Sequence, residues 1–253
     1  MIKTEMTKEQ LLGSQTAKGG FRNEQDVADK FNDWKTDIEA QKWLILMDYI
    51  LDEIKFVEAV VIHGHKADVN VQIRVKLKHA IDVENIQVKL VSNKKGFNQI
   101  DKRLVDNYNK ILNWKMSDNV VNILKRFTGE LPPTIANPKD KKKRRMYIDE
   151  FSDKEQKELF EFLNENKAMI LNDVLRGRGE FTAEWVIVAQ KINQNARWVL
   201  KNINEVINHY NGAIKISPKG SINIGTILVQ RKGGTPDPTS LQFKINPAEL
   251  FDI

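Results

Sequence analysis

Apolar and polar residues alternate along Val69-Asn70-Val71-Gln72-Ile73-Arg74-Val75-Lys76-Leu77, the pattern of a strand with one face buried. Residues 54–62 before it read as a more continuous, buried strand. Residues 85–90 after it read as a third, with Ile86, Val88 and Leu90 turned to the core. Gln87 and Lys89 then share the opposite face, because side chains two apart in a strand lie on one side. Phe21, Val27, Ala28, Phe31 and Trp34 recur at helical spacing and predict a helix over residues 20–34. The opening order is therefore helix, strand, strand, strand.

Further along, residues 102–126 predict helix in two pieces, broken near 114–118. Residues 128–145 carry Pro132-Pro133, Pro138 and six basic residues among the last seven. They predict a long basic loop, either disordered or laid along a polyanion. Ser152-Asp153-Lys154-Glu155 is a capping box opening a helix to about residue 166. A second helical piece ends at Arg176-Gly177-Arg178-Gly179. Residues 184–191 suggest a strand, 195–210 a helix, and 222–231 and 241–247 strands, with no internal repeat. The expectation is an α/β fold over residues 1–253, one domain with a mixed central sheet flanked by helices.

Composition narrows the function. At 253 residues with 41 % hydrophobic and 29 % charged side chains, the chain has ample material for a core. It lacks any apolar run of the length a membrane helix needs, and its first residues do not form a secretory signal. Cysteine is absent, which removes disulfides and thiolate metal sites, and four histidines argue against a zinc site. The net charge of +6 gathers on loops and element ends: 18–22, 94–95, 139–145, 176–178 and 231–232. That distribution points to a polyanionic partner.

One constellation carries chemistry. Lys66-Ala67-Asp68 is followed nineteen residues later by Gln87-Val88-Lys89. An acid and a second oxygen ligand suit Mg²⁺, which takes hard oxygen donors. A lysine beside them can orient a water and offset charge on a phosphate. The same residue types also suit a solvated hairpin face. A symmetric turn over 78–84 would set Asp68 opposite residue 93, about 13 Å along the strand from Lys89, so a bulge or an asymmetric loop would be needed. His63 and His65 read as loop residues near this site. Ala17-Lys18-Gly19-Gly20, with Arg22 beyond, reads as a basic loop feeding a helix N-terminus, a place for phosphate. After Lys94, Lys95 and Gly96, Phe97 either packs back on the core or wedges between base steps while Asn98 or Gln99 reads a base edge.

Two blocks, Asn85-Ile86-Gln87-Val88-Lys89-Leu90-Val91-Ser92-Asn93-Lys94 and Gly96-Phe97-Asn98-Gln99-Ile100-Asp101-Lys102, closely resemble the type II restriction endonucleases of the HinP type, which cut GCGC. So do Phe127-Thr128-Gly129-Glu130-Leu131-Pro132-Pro133, Leu175-Arg176-Gly177-Arg178-Gly179 and residues 241–253. The resemblance runs from about residue 11 to the last. It implies the restriction-endonuclease-like core of the P-D…(D/E)-x-K nucleases and Mg²⁺-dependent hydrolysis of duplex DNA at GCGC, leaving 5′-phosphate ends. It implies Asp68, Gln87 and Lys89 as catalytic residues. Asp68, Gln87 and the Val88 carbonyl would hold the metal, with Glu24 reaching it through water. Two departures stand out: Ala67 occupies the usual proline position, and neutral Gln87 that of the second acid.

The DNA contacts expected are Lys18, Arg22, Arg176 and Arg178 on phosphates, with Lys94 and Lys95, and Phe97, Asn98, Gln99 and Lys102 at bases. Arg231, Lys232, Gln242 and Lys244 are further candidates. The palindrome invites a homodimer, although a monomer acting on each strand in turn is equally open. The resemblance further implies a bacterial cytoplasmic enzyme in restriction-modification, with a cognate DNA methyltransferase as functional partner. The alternative is a DNA-binding or structure-directed nuclease module without sequence-specific cleavage.

Overall fold

The computed structural model describes residues 8–62, 71–92, 96–192, 195–233 and 239–253, with side-chain surroundings from Gly19 onward. In chain order its elements begin with α1 (Lys8–Asn32), α2 (Ile38–Leu46), β1 (Phe56–Val61), β2 (Val71–Lys76), β3 (Ile81–Val91) and β4 (Asn98–Arg103). Next come α3 (Val105–Lys110), α4 (Asp118–Thr128), α5 (Asp153–Glu165), α6 (Lys167–Leu175), β5 (Trp185–Ile192) and β6 (Asn195–Asn202). The chain ends in α7 (Ile203–Tyr210), β7 (Ile214–Ile216), β8 (Ile222–Ile224), β9 (Ile227–Arg231), β10 (Leu241–Ile245) and a 3-10 helix (Pro247–Asp252). The chain traces as two compact units interleaved along it: Met1–Asn98 with Arg176–His209 and Asn246–Ile253, and Gln99–Leu175 with Tyr210–Ile245. Among the described residues no helix is long and apolar enough to cross a membrane.

The first unit is the mixed α/β layer the sequence predicts. Its sheet runs β1-β2-β3-β5-β6, with β3 and β5 parallel and every other pair antiparallel. Val27, Ala28 and Phe31 of α1 and Trp43 and Leu44 of α2 share one core with Val71, Ile73, Val75, Ile86, Val88, Ile187 and Leu200. Trp43 sits between Phe31 and Trp198, at centroid distances of 5.2 and 5.9 Å. Each fully buried side chain of this kind contributes about 1.5–3 kcal/mol.

Several expectations change here. Helix α1 continues through Gly19 and Gly20, and Phe21 is exposed. Packing of Gly19 over Leu90 outweighs the roughly 1 kcal/mol helix penalty of glycine. The basic phosphate loop feeding a helix start is therefore absent, since N–H groups inside a helix are already bonded. β1 is an edge strand buried on one face: Val57 and Ala59 are buried, Phe56 and Val60 exposed. On its outer edge the Asn32 amide donates to the Ala59 carbonyl at 3.0 Å and accepts from the Ala59 N–H at 2.8 Å.

The β2–β3 turn is also tighter than the one expected over 78–84. Lys76 pairs with Ile81, and Leu77 N–H bonds Ala80 O at 2.9 Å. Ile81 and Val83 are β-branched and carry β3 back to Ile81 despite the charge of Asp82 between them. Residues 195–202, expected as helix, form β6 because Leu200 pairs with Ile187 while Trp198 packs on the core. Tertiary pairing overrides a weak local preference.

In the second unit the sheet order is β4-β10-β9-β8-β7, so residues 98–101, expected as loop, and 102–103, expected as the start of a helix, are strand. Tyr108 stacks on Trp114 at 4.4 Å and Phe243 meets both edge-on. Tyr108 donates to Asp101 at 2.8 Å and Trp114 to Asp173 at 2.7 Å, which satisfies polar groups buried with the rings. Burial raises the Asp101 carboxyl above its ordinary range although Arg103 and Tyr108 pull the other way. Ser117 caps α4 and the Ser152–Glu155 capping box opens α5 as expected. Residues 129–147 contain no helix or strand. They are nevertheless tied down by Met146 N–H to Arg126 O and by Arg144 N–H to Asp140, both at 2.9 Å.

The strand expected over 222–231 breaks into β8 and β9 at Gly225, where Ile224 pairs with Ile227 across a two-residue turn. Gly225 has φ +57° and a Cβ there would lie 2.2 Å from Tyr210 O. Gly225→Ala is expected to destabilise this unit by about 2–4 kcal/mol, combining left-handed strain with an unrelieved backbone clash. Thermal unfolding would show it as a fall in Tm of roughly 5–10 °C.

Candidate active site

The site starts from β3, which lies between β2 and β5 in the sheet. Ile86 and Val88 enter the core with α1 and α2, and Leu90 meets Gly19 of α1. Gln87 and Lys89 therefore project from the other side, level with Val186 and Val188 of β5. That side is covered by the C-terminal 3-10 helix, which packs on β3, β5 and β6. Arg197 of β6 stacks on Phe251 at 4.1 Å, and the Lys201 ammonium donates to the Ile253 carbonyl.

Gln87 is 1 % exposed and its Nε2 has no hydrogen-bond partner. An amide oxygen is a hard donor of the kind Mg²⁺ takes, and the unpartnered nitrogen marks this amide as one whose hydrogen bonds within the chain are incomplete. Lys89 follows on the same side, half-buried, and is the nearest cation along the strand. Asn85, one pleat earlier, anchors this stretch: its N–H donates to Glu184 at 3.0 Å and its side chain to Glu180 O at 3.2 Å. Gln72 of β2 donates to the Asn85 side chain at 3.0 Å.

Asp68, with His63 and His65, lies outside the described residues. The register bears on it by count alone. Val71 pairs with Ile86, and Asp68 stands three residues before Val71 as Lys89 stands three after Ile86. The four-residue mismatch set by a turn over 78–84 is gone. Glu24 belongs to α1, which packs on the opposite side of β3 from Gln87 and Lys89. Among the described residues no three His, Cys or acidic side chains form a metal-ligand group.

The expected DNA-contact residues separate by exposure. Arg22 is exposed and lines an open cleft with Gly19, Gln25, Asp26, Leu90 and Lys191, where Lys191 pairs with Asp26. Lys18 is helical, while Lys94 and Lys95 fall outside the described residues. Phe97 is 50 % exposed, which removes the core reading. Asn98 donates to Leu90 O at 3.0 Å, so one amide hydrogen is already committed. Gln99 and Lys102 are exposed on β4. After α6, Arg178 is exposed and Arg176 half-buried.

Arg231 and Gln242 are buried instead of presented to solvent. Gln242 bonds Gln99 at 2.6 Å. Lys232 and Lys244 are half-buried, and burial, with the like charge of Lys232, lowers the Lys244 ammonium from its ordinary range.

Two groups on the Gln87–Lys89 side escaped the sequence reading. Gln190 pairs with Val91, is 5 % exposed, and accepts from Arg197 Nε at 2.6 Å. Gln190 was hidden in an apolar run and Arg197 in a segment read as helix. The period-two placement of Trp198 and Leu200 was the available signal.

Comparison with known proteins bears on the family and the fold. A family model described as the R.HinP1I restriction endonuclease matches residues 47–251. No curated protein matches the chain. A crystal structure of restriction endonuclease MspI in complex with its cognate DNA is similar at TM-score 0.65 and 15 % identity, covering 94 % of this chain and 93 % of that one. At that identity the likeness is one of fold. The family match takes in the β2–β3 hairpin, the Gln87–Lys89 strand and its cover, and on that extent the chain belongs to the R.HinP1I restriction endonuclease family and is a type II restriction endonuclease.

Proposed function

We propose that this enzyme is Mg²⁺-dependent and cleaves duplex DNA at GCGC, leaving 5′-phosphate ends. The observation that supports the chemistry is the tight β2–β3 register over Val71–Lys76 and Ile81–Ile86; by residue count alone Asp68 and Lys89 are each three from the Val71–Ile86 pair. Asp68, the Gln87 amide oxygen and the Val88 carbonyl would hold the metal; Glu24, on the helix that packs on the other side of β3, is left out of that shell. The three are hard oxygen donors of the kind Mg²⁺ takes. Bound Mg²⁺ supplies a water of lowered pKa and charge neutralisation on the phosphate. Lys89 orients that water and stabilises the charge gathering on the phosphoryl oxygens.

Duplex DNA as substrate is supported by family membership, by the exposed Arg22, Arg178, Phe97, Gln99 and Lys102, and by a structural relative that binds DNA. Lys18, Lys94, Lys95 and Arg176 would add phosphate contacts. Phe97 would wedge into the base stack with Asn98, Gln99 and Lys102 at base edges. A cognate methyltransferase would protect host sites, and a two-fold palindrome would suit a homodimer.

The decisive experiment incubates the enzyme with unmethylated plasmid of known sequence, with and without Mg²⁺, and sequences the fragment ends. Ends at GCGC that require Mg²⁺ are the expected result. Ends at another motif would discard the target and keep the chemistry. DNA bound but uncut would favour the binding-module alternative.

Three variants test the roles. Lys89→Ala should lower cleavage by about 10³-fold while gel-shift affinity for a GCGC duplex stays within about threefold. Gln87→Glu should lower the Mg²⁺ concentration for half-maximal cleavage about tenfold, since a carboxylate adds a full charge at the metal. Phe97→Ala should slow cleavage about tenfold while thermal stability changes by no more than about 0.5 kcal/mol, as for an exposed residue.

A further inference from the structure

Gln242 lies on β10, between β4 and β9, and is 3 % exposed. Its Nε2 donates to Gln99 Oε1 at 2.6 Å, and its own Oε1 has no partner. A buried amide with an unpaired oxygen is a costly occupant of a strand, and an apolar side chain of the same length would avoid that cost. What the amide does accomplish is local. It takes one lone pair of the exposed Gln99 oxygen and so fixes which way that amide is turned, its oxygen toward Gln242.

We propose that Gln242 is a specificity-determining positioning residue that locks Gln99 as a hydrogen-bond donor toward guanine. The inference rests on the endonuclease reading above. In the major groove guanine offers N7 and O6 acceptors, whereas adenine sets an N6 donor beside its N7 acceptor. A glutamine free to rotate meets adenine with oxygen and nitrogen together. One whose oxygen is held toward Gln242 can offer a base only its amino group, which donates to guanine and meets the adenine N6 donor unfavourably. Gln242 thus acts on base choice through Gln99 and touches no base itself.

The test compares kcat/KM on duplexes containing GCGC with duplexes in which one guanine at a time is replaced by adenine. The wild type should prefer guanine by about 10- to 100-fold at the position Gln99 reads. Gln242→Met should lower that ratio at least about fivefold at this position and leave the other position unchanged. Adding Gln99→Lys, a donor that needs no orienting partner, should restore the ratio. A simple packing role would slow all substrates alike. Unchanged ratios in Gln242→Met, or no restoration in the double variant, would overturn the proposal. Should Gln242→Met fail to fold, the exposed position decides alone: Gln99→Lys must keep the guanine preference and Gln99→Glu must lose it, and any other result overturns the proposal. Failure of the wild type to cut any duplex would instead overturn the endonuclease reading, and this inference with it.

Discussion

Everything in the first unit depends on β3 being held on both edges and both faces. β2 and β5 fix its hydrogen-bond register; helices α1 and α2 take Ile86 and Val88, and the C-terminal 3-10 helix covers the reverse. A slip of one residue would exchange those aliphatic side chains with Gln87 and Lys89 and place an amide and an ammonium in the core. The hydrophobic side thus sets the position of the polar side. Polar groups that must be aligned to fractions of an ångström gain from standing on such a strand rather than on a loop.

The proposed tasks divide between the two units. Gln87, Lys89 and Arg22 belong to the first, and Gln99, Lys102, Lys244 and the buried Gln242 to the second. The chain passes from one to the other between Asn98 and Gln99, directly after the exposed Phe97. The second unit builds its interior from stacked Tyr108 and Trp114, with Phe243 edge-on to both and two carboxylates hydrogen-bonded against the stacked pair. That interior fixes strands β4 and β10, and so the separation of Gln99 and Gln242.

Elements with a strong local signal were legible in the sequence. The alternation through Val71–Lys76, the capping box at Ser152 and the pairing of Gln87 with Lys89 on one face all needed only neighbouring residues. The misreadings came where distant contacts decide. Asn195–Asn202 has mixed propensity and is strand because β5 pairs with it. Ile81 and Val83 looked like turn residues among charges until β2 paired with them. Gly19 and Gly20 looked like a break, yet α1 runs through them where it meets β3. Exposure was the hardest property to foresee: Gln242 and Arg231 have the composition of surface contacts and are interior. No local pattern announces that a neighbouring strand will cover them.

The two hydrogen bonds of Asn32 have a consequence for the life of the protein in a crowded solution. An outer strand with open amide and carbonyl groups is a template on which another chain can add itself, strand by strand. At Ala59 the side chain of Asn32 imitates the missing neighbour, giving and taking the same pair of bonds that an invading backbone would. The sheet is thereby closed to extension at that point, and the aliphatic alternation that builds the core does not also nucleate aggregation from its edge.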